Sequence, residues 1–268
     1  MERASAIGVI GLGVVGGAVY EAMKKIGNHV VAHDLKLKTK ITDVIDTDLV
    51  FICVPTPPNA DGSCNTDIVE EVVEELSLLN YLGVIAIKST MAIGTTEKLI
   101  KKYQNKNICF VPEFLRERCA QEDFLYNHDL CVIGTDEDDV FDIVSHCHKN
   151  IPKRIKKMSP TESETVKYFN NVYNAVLITF ANSFHDVCKS LNVNYDKVKN
   201  CSVLRDHIND VYLESNDSLR GFSGPCLPKD IEEIASKAKQ LEHITFFDDV
   251  IKQNFIFKKT VLGDMRNE

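Results

Sequence analysis

Residues 6–34 read "AIGVIGLGVVGGAVYEAMKKIGNHVVAHD", and this stretch decides the fold. An apolar run from Ala6 to Ile10 meets a glycine-rich turn, Gly11-x-Gly13-x-x-Gly16. Val19, Ala22, Met23 and Ile26 then recur at helical spacing until Gly27 stops them. A second strand-like run, "HVVAHD", ends in Asp34. Glycine-rich turns arise by chance, so the context carries the reading: a strand before, a helix after, and an acid about twenty residues on. The glycines let the backbone turn sharply and approach a pyrophosphate, and the helix N-terminus supplies unpaired N–H groups and positive potential. Asp34 can accept from both ribose hydroxyls. Its carboxylate would repel a 2′-phosphate, which favours NAD over NADP.

Outward from this unit, strand-like runs follow as "DLVFICVPTP", "GVIAIKST", "NICFVPEF" and "DLCVIG", with helical patterns such as "TDIVEEVVEELSLL" and "TTEKLIKKYQ" between them. Such alternation specifies a parallel sheet with both faces covered. The stretch from Asp34 to Leu49 is too short for a full helix and strand, so one unit is trimmed. The expected class is α/β: a Rossmann-like, doubly wound parallel sheet over residues 1–158, then an all-α domain over residues 159–268 built on a long central helix. That helix opens with a capping box, Ser159 with Glu162, and Pro160 in the first helical position. Val166, Phe169, Tyr173, Val176, Phe180, Phe184 and Val187 form its apolar stripe. Lys167 and Asn171 stand one turn apart on one face, which by spacing alone reads as a solvated edge.

Composition excludes several classes. The chain of 268 residues is 44% hydrophobic with a formal charge of −8, so it can bury a sizeable core but lacks the basic excess of a nucleic-acid or anionic-membrane surface. Neither an h-region nor a membrane-length apolar span is present, and a cytoplasmic chain is expected. Nine cysteines show no C-x-x-C pair and no metal-ligand spacing with the eight histidines. His146, Cys147 and His148 are adjacent, a weak metal signal on an expected helix, so no metal is assigned. In a reducing compartment the thiols are inert unless something holds one for use. In "GFSGPCLPKD", residues 221–230, two glycines and two prolines fix the backbone around Cys226, and Lys229 and Asp230 follow. A buried, inert thiol is the ordinary alternative.

Taken in order, "GLGVVG", "FICVPTP", "KSTMAIGTT", "PEFLRE", "ESETVKYFNN" and "GFSGPCLPKD" closely resemble the UDP-glucose/GDP-mannose dehydrogenase family over nearly the whole chain. The resemblance implies NAD-dependent oxidation of the C6 alcohol of a nucleotide sugar to a carboxylate. Cys226 is then the nucleophile that forms a thiohemiacetal and a thioester, and Glu117 activates the hydrolytic water. Lys167 and Asn171 stabilise the oxyanion, and Asp230 holds a water or the Lys167 ammonium, with Thr90 in the same network. Glu113 either shares the proton work or is structural. Cofactor contacts fall on Gly11, Gly13, Val14, Val15, Gly16, Asp34, Val54, Pro55, Thr56, Ser89 and Thr90. Substrate contacts fall on Phe114, Leu115, Arg116, Glu117, Lys167, Asn171, Phe222, Gly224 and Lys229; Lys229 is equally well a surface lysine. "PEFLRE" favours a UDP-glucose or GDP-mannose substrate, and UDP-sugar is the first choice.

The family's C-terminal nucleotide-binding domain is expected to be absent, because the chain ends at "VIKQNFIFKKTVLGDMRNE". Ser223 also replaces a glycine of "GFGG", Arg118 replaces the glycine after "PEFLRE", and Leu130 replaces an arginine. A shifted sugar would present another carbon to the nicotinamide. Two alternatives therefore stand beside the dehydrogenase: a UDP-glucuronate decarboxylase forming UDP-xylose through a 4-keto acid, and a non-catalytic NAD-binding partner. The central helix of this family implies a homodimer.

Overall fold

The computed structural model describes residues 5–241 and 243–261, apart from the side chain of Glu117. The chain divides into two compact units, residues 1–59 with 64–167 and residues 60–63 with 168–268.

In the first unit, strands β1 (Ala6–Ile10), β2 (His29–His33), β3 (Leu49–Ile52), β4 (Val84–Ile87), β5 (Ile108–Phe110), β6 (Cys131–Gly134) and β7 (Ile155–Met158) form one sheet in the order β2-β1-β3-β4-β5-β6-β7. The helices α1 (Val14–Lys25), α2 (Asp67–Leu78), α3 (Thr95–Tyr103), α4 (Ala120–Tyr126) and α5 (Asp138–His148) belong to the same unit. Every residue of β3, β4 and β6 is buried, as expected of strands covered on both faces. The first five strands are parallel, but β6 pairs antiparallel with β5, and β7 runs parallel to β6. An apolar run has no direction written into it, and this reversal therefore has no sequence signal. Between β2 and β3 the chain makes two short 3₁₀ turns, Leu35–Leu37 and Ile41–Val44, in place of the trimmed helix. Strand order changes direction at β1, so the crevice at the carboxyl ends of β1 and β3 is the topological switch point.

The helix α6 (Pro160–Ser190) begins in the first unit and continues in the second, which also holds α7 (Tyr195–Ser202), α8 (Leu227–Ala238) and α9 (Phe246–Lys259). Its N-terminus is closed by the expected capping box: the Ser159 N–H donates to Glu162 Oε2 at 2.9 Å and the Ser159 hydroxyl to the same atom at 2.8 Å. Its apolar stripe is placed unexpectedly. Phe169 is 74% exposed, and Tyr173, Phe180, Phe184 and Val187 are also exposed, whereas Tyr168, Val172, Ala175, Ala181 and Cys188 are buried. The covered face thus mixes Tyr168 and Val172 with small residues and with the buried polar groups Ser163, Glu164, Lys167, Asn171 and Asn182. Around it pack Phe222 and Ile231 with Val250 of α9, and separately Tyr195 and Leu213.

Beneath the sheet of the first unit lies an unusual polar group. The ammonium of Lys88 is buried, donates to the Val111 carbonyl at 3.3 Å and sits over the rings of Phe51 and Phe124. His148 is fully buried, and its Nδ1–H donates to the Val144 carbonyl at 2.7 Å. Burial, reinforced by Lys88, pushes His128 down to about 4 and His148 down to about 3. Both rings are therefore neutral in the fold and gain protons near pH 6.5 when it opens. Stability is fully present above about pH 6.5 and is lost as pH falls toward 4, at up to ~2.7 kcal/mol per pH unit for two protons. Denaturant titrations between pH 7 and 4.5 should show this slope, and His128→Gln should roughly halve it; a flat profile would refute it.

Candidate active site

In the first unit the glycine turn has the geometry a dinucleotide needs. Gly11 has φ +87°, and a Cβ there would lie 2.7 Å from the Cys53 carbonyl oxygen, so only glycine fits beside β3. A Cβ on Gly16 would meet the Gly11 carbonyl oxygen, which fixes α1 directly on the turn. A Cβ on Gly13 would meet nothing within 4 Å, and no side chain caps α1. Open space in front of uncapped helical N–H groups suits a pyrophosphate. Asp34 closes the turn: its carboxylate accepts from the Leu12 N–H at 2.7 Å and the Lys36 N–H at 2.8 Å, and these bonds hold its pKa below the ordinary value. Each carboxylate oxygen keeps a lone pair for a ribose hydroxyl.

The segments after β3 and β4 flank this turn. Ser89 is buried and spends its hydroxyl on the Val54 carbonyl at 2.7 Å, tying these two expected cofactor segments together. Val54, Thr56 and Thr90 are partly exposed, and Pro55 is exposed. Further along, the Lys167 ammonium of α6 is buried and donates to the Glu113 backbone carbonyl at 2.6 Å and to its carboxylate at 3.1 Å. Glu113 also accepts from the Leu115 N–H at 2.8 Å. The solvated-edge reading of Lys167 is thus replaced by a buried ion pair, and Glu113 is its partner. One turn earlier, Glu164 caps the N-terminus of α3, accepting from the N–H groups of Gly94 and Thr96 at 2.5 and 2.8 Å, and burial raises its pKa. Arg116 forks onto Asp123 with bonds of 2.9 and 2.7 Å and holds that carboxyl well below its usual range, so its guanidinium is already committed. Phe114 and Leu115 are partly exposed, and the side chain of Glu117 lies outside the described residues.

In the second unit, Cys226 is exposed and occupies the N-cap position of α8, with Pro228 in the first turn. A helix N-terminus favours a negative charge on sulfur there. Asp230 has no exposed surface and accepts from Asn171 Nδ2 at 2.6 Å and from Lys229 Nζ at 2.8 Å. Lys229, with its side chain only 12% exposed and paired with Asp230, is therefore not a surface lysine. Phe222 is also corrected: its ring is 2% exposed in the core, so it shapes the loop instead of lining a pocket. Gly224, at φ +82°, keeps open space around it.

Four other thiols, Cys53, Cys109, Cys131 and Cys147, are buried in the first unit and held protonated. Burial pushes Cys53 up to about 12 and Cys131 up to about 11, and raises Cys109 and Cys147 further. Among the described residues, no group of three His, Cys, Asp or Glu side chains could hold a metal ion, and no helix is long and apolar enough to cross a membrane. Sequence reasoning missed Glu164, Asn182 and Asn254, all of which bond to backbone. Their only signal is a polar residue interrupting an apolar helical face.

The NAD binding domain profile of the UDP-glucose/GDP-mannose dehydrogenase family matches residues 31–152, and the profile of its central domain matches residues 161–255. The chain belongs to this family. A putative UDP-glucose 6-dehydrogenase of Bacillus subtilis is 30% identical over 237 residues, covering 84% of this chain and 53% of that protein. A UDP-glucose 6-dehydrogenase of Campylobacter jejuni is 32% identical over 223 residues, covering 79% and 54%. The solved UDP-glucose dehydrogenase of the archaeon Pyrobaculum islandicum superposes with a TM-score of 0.87 at 26% identity, covering 95% of this chain and 68% of that one. The chain spans about half the length of the curated relatives it matches. Its cofactor is NAD, as the family's domain implies and the glycine turn accommodates. The turn itself, residues 11–16, precedes the matched segment and is carried by the geometry alone.

Asp34 should set the cofactor preference. Titration of the protein with both dinucleotides should show NAD binding at least about tenfold tighter than NADP, the worth of one charge-assisted hydrogen bond exchanged for a repulsion. Asp34→Asn should narrow that ratio. Equal or tighter NADP binding would remove the role given to Asp34.

Proposed function

We propose that the chain oxidises the C6 alcohol of a nucleotide sugar, UDP-glucose in the first instance, to the carboxylate through a thioester on Cys226. The observation that carries this reading is the placement of Cys226, exposed at the start of α8, four residues before a buried Asp230 that holds the Asn171 amide. Such an arrangement presents one thiol and fixes one donor near it. Glu113, Lys167 and Thr90 are the corresponding set on the NAD-binding unit.

When bound, NAD supplies the acceptor for hydride, once for each oxidation step. The chain's own groups do the rest. The sulfur of Cys226 adds to the C6 aldehyde, and its proton passes to the aldehyde oxygen as the thiohemiacetal forms. Asn171 and Lys167 donate to that oxygen while it bears charge, worth on the order of 10²–10³ in rate per donor. Loss of the remaining C6 hydrogen as a second hydride, with the hydroxyl proton passing to solvent water, leaves a thioester. Glu117 takes a proton from water as the water adds to the acyl carbon, and the Cys226 thiolate leaves. Asp230 keeps Asn171 oriented throughout, and Lys229 balances the Asp230 charge.

Oxidation is favoured over decarboxylation because relatives at 30% identity or more are named UDP-glucose 6-dehydrogenases, and the decarboxylase alternative gains no such support. The same names favour a UDP-sugar over GDP-mannose. The exposed aromatic stripe of α6, with the rings of Phe180 and Phe184 5.0 Å apart, supports a homodimer built on that face.

Cys226→Ser should retain fold and NAD affinity while acid formation falls by at least about 10³-fold, because a hydroxyl replaces sulfur poorly as nucleophile and leaving group. Unchanged acid formation would take Cys226 out of the mechanism. Incubation of the protein with NAD and UDP-glucose should accumulate NADH and UDP-glucuronate in a ratio of about two to one, the stoichiometry of two hydride steps. Release of carbon dioxide from UDP-glucuronate without lasting NADH would overturn the dehydrogenase reading. Inertness toward both sugars with NAD binding intact would favour GDP-mannose or a non-catalytic partner.

A further inference from the structure

The loop that carries Cys226 is held from two helices by two buried amides. On α9, Asn254 accepts from the Phe222 N–H at 2.6 Å through Oδ1 and donates to the Phe222 carbonyl at 3.0 Å through Nδ2. On α6, Asn182 accepts from the Gly221 N–H at 3.0 Å, with its own Nδ2 committed to the Ile178 carbonyl at 2.7 Å. Asn254 is 7% exposed and Asn182 is 1% exposed, so neither set of bonds competes with water. Two consecutive backbone N–H groups and one carbonyl are thereby fixed four to five residues before Cys226.

We propose that Asn254 is a positioning residue for Cys226. The inference rests on the reading of Cys226 as nucleophile. One planar amide meets both polar groups of a single residue, as a neighbouring strand would, and no other side chain of that length has a donor and an acceptor so arranged. An Asp would set a carboxylate oxygen against the Phe222 carbonyl. The approach is close enough to exclude any side chain at Gly221, where a Cβ would lie 2.5 Å from Asn254 Oδ1 and the backbone has φ +64°. With the Phe222 ring in the core, residues 221 and 222 are held through both backbone and side chain. The chain then turns through Gly224 and is stiffened by Pro225 until Cys226 enters α8. Releasing Phe222 frees the whole segment and lets the sulfur leave the helix N-terminus.

The experiment compares the intact chain with Asn254→Ala, Asn254→Asp and a control, Leu213→Ala, which opens the separate cluster around Tyr195 and touches neither Gly221 nor Phe222. Asn254→Asp preserves side-chain volume and the acceptor but sets a carboxylate oxygen against the Phe222 carbonyl, so the melting temperature is read with each profile to separate release of the loop from loss of fold. Alkylation of Cys226 by iodoacetamide is followed across pH by mass spectrometry of its peptide, alongside the melting temperature. Both Asn254 variants should shift the Cys226 profile to higher pH and slow its alkylation at pH 7 by about threefold or more, as the thiolate loses the helix terminus. Leu213→Ala should lower the melting temperature and leave the profile in place. With NAD and UDP-glucose, kcat of the Asn254 variants should fall on the order of 10²-fold, the cost of a misplaced reacting atom, with KM little changed. Profiles that superimpose on the parent, or an equal shift in Leu213→Ala, would overturn the proposal. Acid formation by Cys226→Ser at the parent rate would remove the nucleophile reading, and the alkylation profiles would still decide whether Asn254 places the sulfur.

Discussion

A carboxylate taken entirely out of water has to be matched by donors, or it costs several kcal/mol. Asp230 is such a group, and the second unit is arranged around meeting its demand. Asn171 arrives from α6 and Lys229 from the first turn of α8, so satisfying the charge fixes one helix against the other. An amide that donates to a buried carboxylate cannot rotate, and its own Oδ1 is held by Asn170 at 3.0 Å. The network orders its members before any ligand arrives. Because α8 must begin close to Asp230, Cys226 falls at the helix N-cap.

The first unit solves a related problem with the opposite charge. Lys167, removed from water, is satisfied by both the backbone and the carboxylate of Glu113, and Phe114 lies 5.8 Å from its ammonium. Three residues earlier on the same helix, Glu164 is matched to the start of α3. These two contacts tie the first turns of α6 to the loops after β4 and β5. Parallel strands deliver those loops to one edge of the sheet, where the glycine turn after β1 also lies. The chemistry of the first unit is thus placed by sheet topology, and the chemistry of the second by a buried ion pair.

That contrast explains how much the sequence disclosed. Gly11 and Gly16 were legible because each answers a local demand, a positive φ or a backbone approach too close for Cβ, and Gly13 was legible from its spacing between them. The capping box at Ser159 was legible for the same reason, since its partners are three residues apart. Lys167 and Asn171 were found on one face, but their burial was hidden, because Glu113 and Asp230 lie 54 and 59 residues away along the chain. The apolar stripe of α6 misled, since hydrophobic periodicity marks a face that avoids water without saying what covers it. Asn254 could not be found at all. Its role is to complete backbone hydrogen bonds 32 residues distant, a demand that exists only after the loop has closed.

The departures from the family's pattern can be weighed by the same local demands. Where the family has two glycines, this chain has Ser223 followed by Gly224, and only Gly224 of the pair has the left-handed backbone that disfavours a side chain. Ser223 is exposed and extends its hydroxyl without strain, so the substitution changes the surface of the loop and not its path. Arg118 likewise replaces a glycine on exposed ground, where it lines a cleft of about 520 Å³ with Val14, Gly17 and Cys119 beside the first turn of α1. Neither change falls on Gly221, Gly224 or Asp230, the positions whose geometry or burial admits no alternative. Both substitutions therefore leave in place the backbone turn at Gly224 and the buried Asp230 contacts that lead to and follow Cys226.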